Sequence, residues 1–335
     1  METLIFYLYG LLLVFGVVGN AIVIFVVGCI ARRIGRLPRP NRQQRLLVHL
    51  SHYIISLSAT DLLVLSVLPL LIAEASLGYW PFGWLGCKLF WLIENVNKLL
   101  SIAILTVMSV DRFLAACHPH RFSWLRTGTA TALVVLASFL VSLALMWPAV
   151  VYSDVELIEL STNNVSVVKS VEKCSIDQSM PETVLRSFII SITVAGFICP
   201  AFIIGFSYCK LVVMIRMRYG REPSLLTSSR SALNSRRRHK AYMSVLRVVV
   251  FHFVCWTPYW LVTVMPLFPN LQRKLFATYP ETIMNVLLFF HLLPYLNSSA
   301  NWVFYALLNK KLRRTGFKLL SPQICASANN QPTSV

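Results

Sequence analysis

The sequence predicts an all-α membrane protein, a bundle of seven transmembrane helices followed by a short amphipathic eighth. Three observations carry this. Hydrophobic residues make up 56% of the chain and charged residues only 13%. Seven long apolar stretches run roughly over 4–29, 47–73, 88–110, 129–151, 184–214, 243–267 and 282–307. The loops between them alternate in the sign of their charge. Each stretch exceeds the ~20 residues a helix needs to cross a hydrocarbon core of ~30 Å. Lipid offers no partner for an unpaired backbone amide, and the runs are too long for barrel strands, so helices are forced. Residues 1–308 are read as the membrane domain and 309–335 as a cytoplasmic amphipathic helix and flexible tail.

Charge fixes the orientation. Arg32, Arg33, Arg36, Arg39, Arg42 and Arg45 fill the loop after span one, and Arg121 and Arg126 follow span three. Arg216 to Lys240 crowd the loop between spans five and six, and Lys310, Lys311, Arg313, Arg314 and Lys318 follow span seven. By the positive-inside rule these segments are cytoplasmic and the N-terminus is extracellular. The opposite loops are acidic or mixed, with Asp154, Glu156, Glu159, Glu172, Asp177 and Glu182 between spans four and five. The net charge of +18 is therefore a matter of topology and of attraction to anionic lipid, not of nucleic acid.

Along the chain, span one lacks the basic start of a signal peptide and is too long for a signal core. Only a few residues precede it, which leaves either a very short outer tail or a truncated chain. Of eight cysteines, two fall on the outer side: Cys87 at the start of span three and Cys174 in the acidic loop. A disulfide between them would pin that loop over the bundle. Cys29, Cys117, Cys199, Cys209 and Cys255 are expected to pack as small apolar side chains. Asn164-Val165-Ser166 is a glycosylation sequon in the same outer loop. After span seven, Asn309 to Phe317 reads as a basic amphipathic helix on the inner leaflet. Cys325 is a palmitoylation candidate, and the ending Thr333-Ser334-Val335 fits a carboxyl-terminal ligand for PDZ domains.

Charged groups inside a membrane cost about 2.5–3.5 kcal/mol each, so each is a functional candidate. The set is short: Asp61 in span two, Glu94 and Lys98 in span three, and Asp111-Arg112 at its inner end. Asp61, Asn97, Ser101, Asn297 and Asn301 offer one carboxylate and several oxygens to a small cation such as sodium. The competing reading is a hydrogen-bonded, water-filled cluster with no ion. Glu94 also has two readings. It can anchor a ligand cation, or it can be neutralised by Lys98 one helical turn away. For Arg112 the bland reading is an ion pair with Asp111 that snorkels to water.

These residues carry a resemblance. Gly19-Asn20, Leu57-Ser58-Ala59-Thr60-Asp61, Asp111-Arg112-Phe113, Cys255-Trp256-Thr257-Pro258 and Asn301-Trp302-Val303-Phe304-Tyr305 resemble the successive signatures of rhodopsin-like (class A) G-protein-coupled receptors. Pro200 and Tyr208 match the family's pair in span five. The likeness covers almost the whole chain. It is greatest to receptors for short peptides in the somatostatin, opioid and allatostatin-C branch, through Pro69, Tyr79-Trp80-Pro81-Phe82-Gly83, Asn97 and Leu296 to Asn301. An opsin is disfavoured, since no lysine for a retinal Schiff base lies between Lys274 and Lys310.

The resemblance implies a plasma-membrane receptor that binds an extracellular neuropeptide and activates a heterotrimeric G protein, with arrestin as a further partner. No enzymatic chemistry and no cofactor beyond a sodium ion are expected. Glu94 falls where many relatives place a carboxylate for a ligand amine, and Tyr295, His291, Trp260, Trp91 and Trp256 would line the cavity. Arg112 would leave Asp111 when span six moves outward, with Tyr208 and Tyr305 as supporting partners. Trp256 above Pro258 would couple cavity to hinge. Several positions depart from the family pattern. Trp302 replaces a proline, His252 a phenylalanine and Phe139 a tryptophan. The first inner loop is about a dozen residues longer than usual, holds Pro38 and Pro40, and is expected to be mobile. An amine receptor using Glu94, a seven-helix protein that binds without signalling, and a transporter or ion-conducting protein are the alternatives.

Overall fold

A computed structural model describes residues 2–39, 42–117, 121, 127–161, 168–176, 179–221 and 229–308. The expected eighth helix, Cys325, the PDZ-type ending and the Asn164 sequon lie outside the described residues. The two ends of the bundle are called outer and inner after the orientation that loop charge predicts.

Span one is α1 (Glu2–Gly35), and one of its faces is built for close approach. A Cβ at Gly16 would stand 2.9 Å from the Ser299 backbone, and one at Gly19 would run into the Trp302 indole. Asn20 donates to the Ser298 carbonyl at 3.0 Å. Small residues let two helix backbones meet where lipid gives no hydrophobic drive to join them. The partner is span seven, α11 (Pro280–Leu308), which runs unbroken through Pro294.

Proline sets the breaks elsewhere, because it removes an amide and clashes with the carbonyl four residues back. Span two is α2 (Arg42–Leu65) and then α3 (Leu68–Leu77), interrupted just before Pro69. At the break the Val67 amide turns to the Val64 carbonyl, 3.2 Å. Span four is α5 (Gly128–Leu145) and α6 (Trp147–Val151), broken at Met146 before Pro148. Span five is α7 (Glu182–Thr193), a π-helical turn at Val194–Ile198 before Pro200, and α8 (Cys199–Arg221). Span six is α9 (Ser229–Thr263), which carries Pro258 within it.

Span three, α4 (Gly83–Cys117), holds five charged residues, Lys88, Glu94, Lys98, Asp111 and Arg112. Among the described residues, six other spans are long and apolar enough to cross a membrane. α4 is the central one, with every residue from Glu94 to Ile102 buried. A helix buried all the way round has protein on every side, which is the setting that tolerates its charges.

The outer face contains strands that the sequence reading did not anticipate. β1 (Ser153–Ser161) and β2 (Val168–Ile176) form an antiparallel hairpin over the bundle. Glu156 pairs opposite Lys173. The Cys87–Cys174 disulfide ties β2 to the top of α4. The Trp80 amide donates to the Glu172 carbonyl at 2.8 Å, which fastens the first outer loop to the hairpin. That loop begins and ends at Gly78 (φ 77°) and Gly83 (φ 63°), left-handed positions where a side chain would be strained. Lys88 points its ammonium at the carbonyls of Val150, Val151 and Ser153, at 3.0, 3.2 and 2.8 Å. A cation there satisfies the last carbonyls of α6. A further outer helix, α10 (Pro269–Thr278), opens on a proline at its first turn.

Other expectations are corrected. The helices of spans one and two extend into the first inner loop, so only residues 36–41 lie between α1 and α2. Helix-forming Arg32, Arg33 and Arg45 continue the spans past the lipid-facing run. Cys255 is buried as expected, whereas Cys199 and Cys209 are exposed on the outward face of span five. Phe139 is half-buried and packs against the clusters that contain Leu105 and Trp256.

Candidate functional site

In the outer half of the bundle α4, α9 and α11 bring Glu94, Lys98, Tyr259 and Tyr295 together. Glu94 Oε1 and Lys98 Nζ are 3.1 Å apart, and both side chains are about 4–5% exposed. Of the two readings of Glu94, the internal pair is the one formed. An ammonium has three protons, and three acceptors surround this one. Besides Glu94 they are the Tyr259 hydroxyl at 2.7 Å and Asn95 Oδ1 at 3.3 Å. The same ammonium lies 4.4 Å from the centre of the Tyr259 ring. On the other side, the Tyr295 hydroxyl donates to Glu94 Oε1 at 3.3 Å, and the Tyr9 ring meets Tyr295 edge-on.

The other expected wall residues are distributed unequally. His291 is exposed, 5.8 Å from the Tyr259 ring, and Trp91 is half-buried. Among the described residues the Trp91 indole nitrogen is buried without a hydrogen-bond partner. Trp260 is 4% exposed and occupies a notch at Gly196, where an added Cβ would come within 2.6 Å of its ring. Gly196 lies in the π-helical turn, a feature frequent at functional sites.

Beneath the charged pair, aromatic rings lead to the bundle centre. Tyr259 meets Trp256 edge-on at 5.6 Å. Trp256 donates its indole proton to Asn297 Oδ1 at 3.2 Å, and His252 stacks on its far side at 5.4 Å. The expected polar cluster resolves into hydrogen-bonded pairs. Asn301 donates to Asp61 Oδ2 at 3.0 Å, Ser101 donates to Asn97 at 3.4 Å, and Asn297 accepts from Trp256. Asp61 Oδ1, Ser58 Oγ and Asn301 Oδ1 are buried acceptors with no hydrogen-bond partner among the described residues. Orphaned oxygens of that kind suit a hard cation or ordered water.

At the inner end Arg112 is 2% exposed and Asp111 7%, with their charged groups 3.9 Å apart. The snorkelling reading of Arg112 is therefore wrong: the guanidinium is enclosed by the bundle. Tyr208 lies near it in the inner core cluster. Tyr305 lies in the last turn of α11, and its side chain is outside the description. Two residues that sequence reasoning missed join here. His49 of α2 binds Asp111 at 3.1 Å, and Thr131 of α5 binds the other nitrogen of His49 at 3.1 Å. Tyr259 was also missed, although its place between Pro258 and Trp260 in an aromatic-rich run was a visible signal.

This arrangement, a buried charged pair beneath an outer hairpin, connected through aromatic rings to a buried polar core and an enclosed inner arginine, is that of a seven-helix membrane receptor. Residues 19–305 match the family described as 7 transmembrane receptor (rhodopsin family). The chain belongs to that family, one of receptors and not of enzymes. It is 32% identical over 328 residues to somatostatin receptor type 3 of Rattus norvegicus, covering 95% of this chain and 69% of that one. Somatostatin receptor type 3 of Homo sapiens is 31% identical, over 94% of this chain and 67% of its own. Neuropeptide receptor 18 of Caenorhabditis elegans is 28% identical, over 91% of this chain and 64% of its own.

Proposed function

We propose that this chain is a plasma-membrane receptor that binds an extracellular peptide bearing a cationic group and activates a heterotrimeric G protein. The names of its relatives, somatostatin receptor and neuropeptide receptor, support a peptide ligand. The observation that carries the rest is the continuous path from Glu94–Lys98 through Tyr259 and Trp256 to Asn297. A ligand ammonium or guanidinium would take the place of Lys98 on Glu94, where the Tyr295 hydroxyl also donates. Lys98 would keep its bonds to Tyr259 and Asn95. The exchange pulls on Tyr259, whose ring rests on Trp256, so binding and bundle geometry become linked. A ligand that prefers one arrangement of that path shifts the population toward it. Arrestin at the inner face and a PDZ-domain protein on the C-terminus belong to the same reading.

The test is G-protein activation in cells expressing the chain, across short cationic peptides, with Arg112→Ala in parallel. A response to one peptide that disappears in Arg112→Ala is expected. A response that survives in Arg112→Ala would remove Arg112 from the coupling role, and ligand-driven current or uptake in its place would favour a transporter.

A sodium ion is part of the proposal. Asp61 would hold it by charge, with the Ser58 and Asn301 oxygens beside it, and the ion would favour the resting bundle. Asp61→Asn is then expected to abolish the effect of sodium on agonist affinity. Sodium sensitivity that persists in this variant would place the ion elsewhere.

A further inference from the structure

His49 lies at the inner end of α2, 4% exposed, and both of its ring nitrogens are engaged. Nε2 is 3.1 Å from Asp111 Oδ1. A carboxylate only accepts, so Nε2 carries a proton and donates it. Nδ1 is 3.1 Å from Thr131 Oγ1, which in turn is 3.1 Å from the Thr127 carbonyl oxygen of its own helix. The Tyr53 ring stands edge-on to the imidazole, with centroids 5.2 Å apart. One imidazole thus joins α2, α4 and α5 at their inner ends. At the other Asp111 oxygen, Oδ2, the Arg112 guanidinium is 3.9 Å away, outside hydrogen-bond range. Of the two, His49 has the closer hold on the carboxylate.

We propose that His49 is a positioning residue of the inner-face switch, holding the Asp111 carboxylate so that Arg112 can leave it. The inference rests on the reading of Asp111 and Arg112 as the element that couples to a G protein. The argument is one of unequal effect on two states. At rest the carboxylate has both the His49 hydrogen bond and the nearby guanidinium. Once Arg112 withdraws, the guanidinium charge is gone and the His49 bond stays. Losing His49 therefore raises the energy of the withdrawn state more than that of the resting state, because an anion in a dry site depends more on each remaining donor. His49 accordingly favours signalling, and Thr131 favours it through His49 by fixing the ring.

The test is ligand-independent nucleotide exchange by a purified G protein on the receptor in lipid nanodiscs. Wild type, His49→Phe and His49→Gln are compared, each also in an Asp111→Asn background. His49→Phe keeps an aromatic ring against Tyr53 and removes both nitrogens. It is expected to slow exchange by roughly tenfold, the scale of one hydrogen bond to a charged group. His49→Gln keeps a donor and is expected to restore most of the rate. In the Asp111→Asn background, receptors with and without the His49→Phe change are expected to exchange alike. Thr131→Val, which withdraws the ring's other support without touching Asp111, is expected to fall between wild type and His49→Phe. Wild-type exchange in a folded His49→Phe receptor would overturn the proposal. So would a loss that persists undiminished with Asp111→Asn, since His49 would then be mere packing. A wild-type receptor that drives no exchange on any G protein is a different outcome. It would overturn the signalling reading and this inference with it.

Discussion

Lys98→Met is expected to destabilise the receptor more than Glu94→Gln, and the two together are expected to restore most of the loss. The pair is buried, with its charged groups 3.1 Å apart. Removing one partner of a buried ion pair costs about 3–5 kcal/mol, because the other charge stays in the protein uncompensated. The two halves are not equally supported. Without Glu94, Lys98 keeps the Tyr259 hydroxyl and Asn95 Oδ1. Without Lys98, the hydrogen bond from Tyr295 remains to Glu94. Replacing both charges with neutral groups of similar volume is often close to neutral. Thermal unfolding of the purified receptor reads all three variants. A double variant as unstable as Lys98→Met alone would mean that the pair is not what sets the stability there.

The same variant separates the two uses of Glu94. If a ligand cation exchanges with Lys98, Lys98→Met removes the competitor and leaves the carboxylate waiting. Affinity for a cationic peptide is then expected to rise by about tenfold, and the peptide is expected to raise the melting temperature of Lys98→Met more than that of wild type. Weaker binding to Lys98→Met would show that the ammonium itself contacts the ligand. Glu94→Gln is expected to weaken the same peptide. A receptor less stable yet tighter-binding than wild type is a combination that simple misfolding does not produce.

The seven spans were legible because a hydrocarbon core demands length and apolarity, both visible along one chain. Their breaks were only half legible. Pro69 and Pro148 mark where spans two and four are interrupted, but proline alone did not distinguish those sites from Pro258 and Pro294, which α9 and α11 run through. The outer hairpin was missed because its charged, mixed composition reads as loop, and its pairing depends on β1 meeting β2 under the Cys87–Cys174 tie. Glu94 and Lys98 were legible as an i, i+4 pair. Tyr295, 201 residues from Glu94, and Tyr259, 161 from Lys98, were not assigned to that pair, because helix packing and not local spacing brings them there. His49 was missed for the same reason. A histidine 62 positions before Asp111 carries no sign of its partner until α2 and α4 are packed side by side.

Gly19→Ala is expected to abolish surface expression, and the reason turns the chain's departure at Trp302 into a structural argument. Where the family has a proline, this chain places an indole that fills the groove of α1. A single methyl at Gly19 would overlap that indole more closely than real side chains allow. Phe15 packs against the ring, with centroids 5.0 Å apart, and Asn20 holds the Ser298 carbonyl of α11 beside it. The indole has little room to retreat. Overpacking of a tight core commonly costs about 1–3 kcal/mol, and a Cβ driven into a large ring that has little room to move belongs at the top of that range. The compensating change is specific. Trp302→Ala alone leaves a cavity worth about 3–5 kcal/mol, while Gly19→Ala with Trp302→Ala gives the methyl space and is expected to return protein to the surface. If the double variant stays inside the cell, Gly19 serves something other than this joint. If Gly19→Ala by itself reaches the surface at wild-type levels, Trp302 does not lie in the groove of α1. The joint also bears on signalling. Without proline at 302, span seven has no break at that point and is held to span one by a large ring. Inward rotation of its inner end then has to carry α1 with it or pivot at Pro294, eight residues earlier. Trp302→Pro, which removes the ring and restores the break, is accordingly expected to raise ligand-independent G-protein activation above wild type.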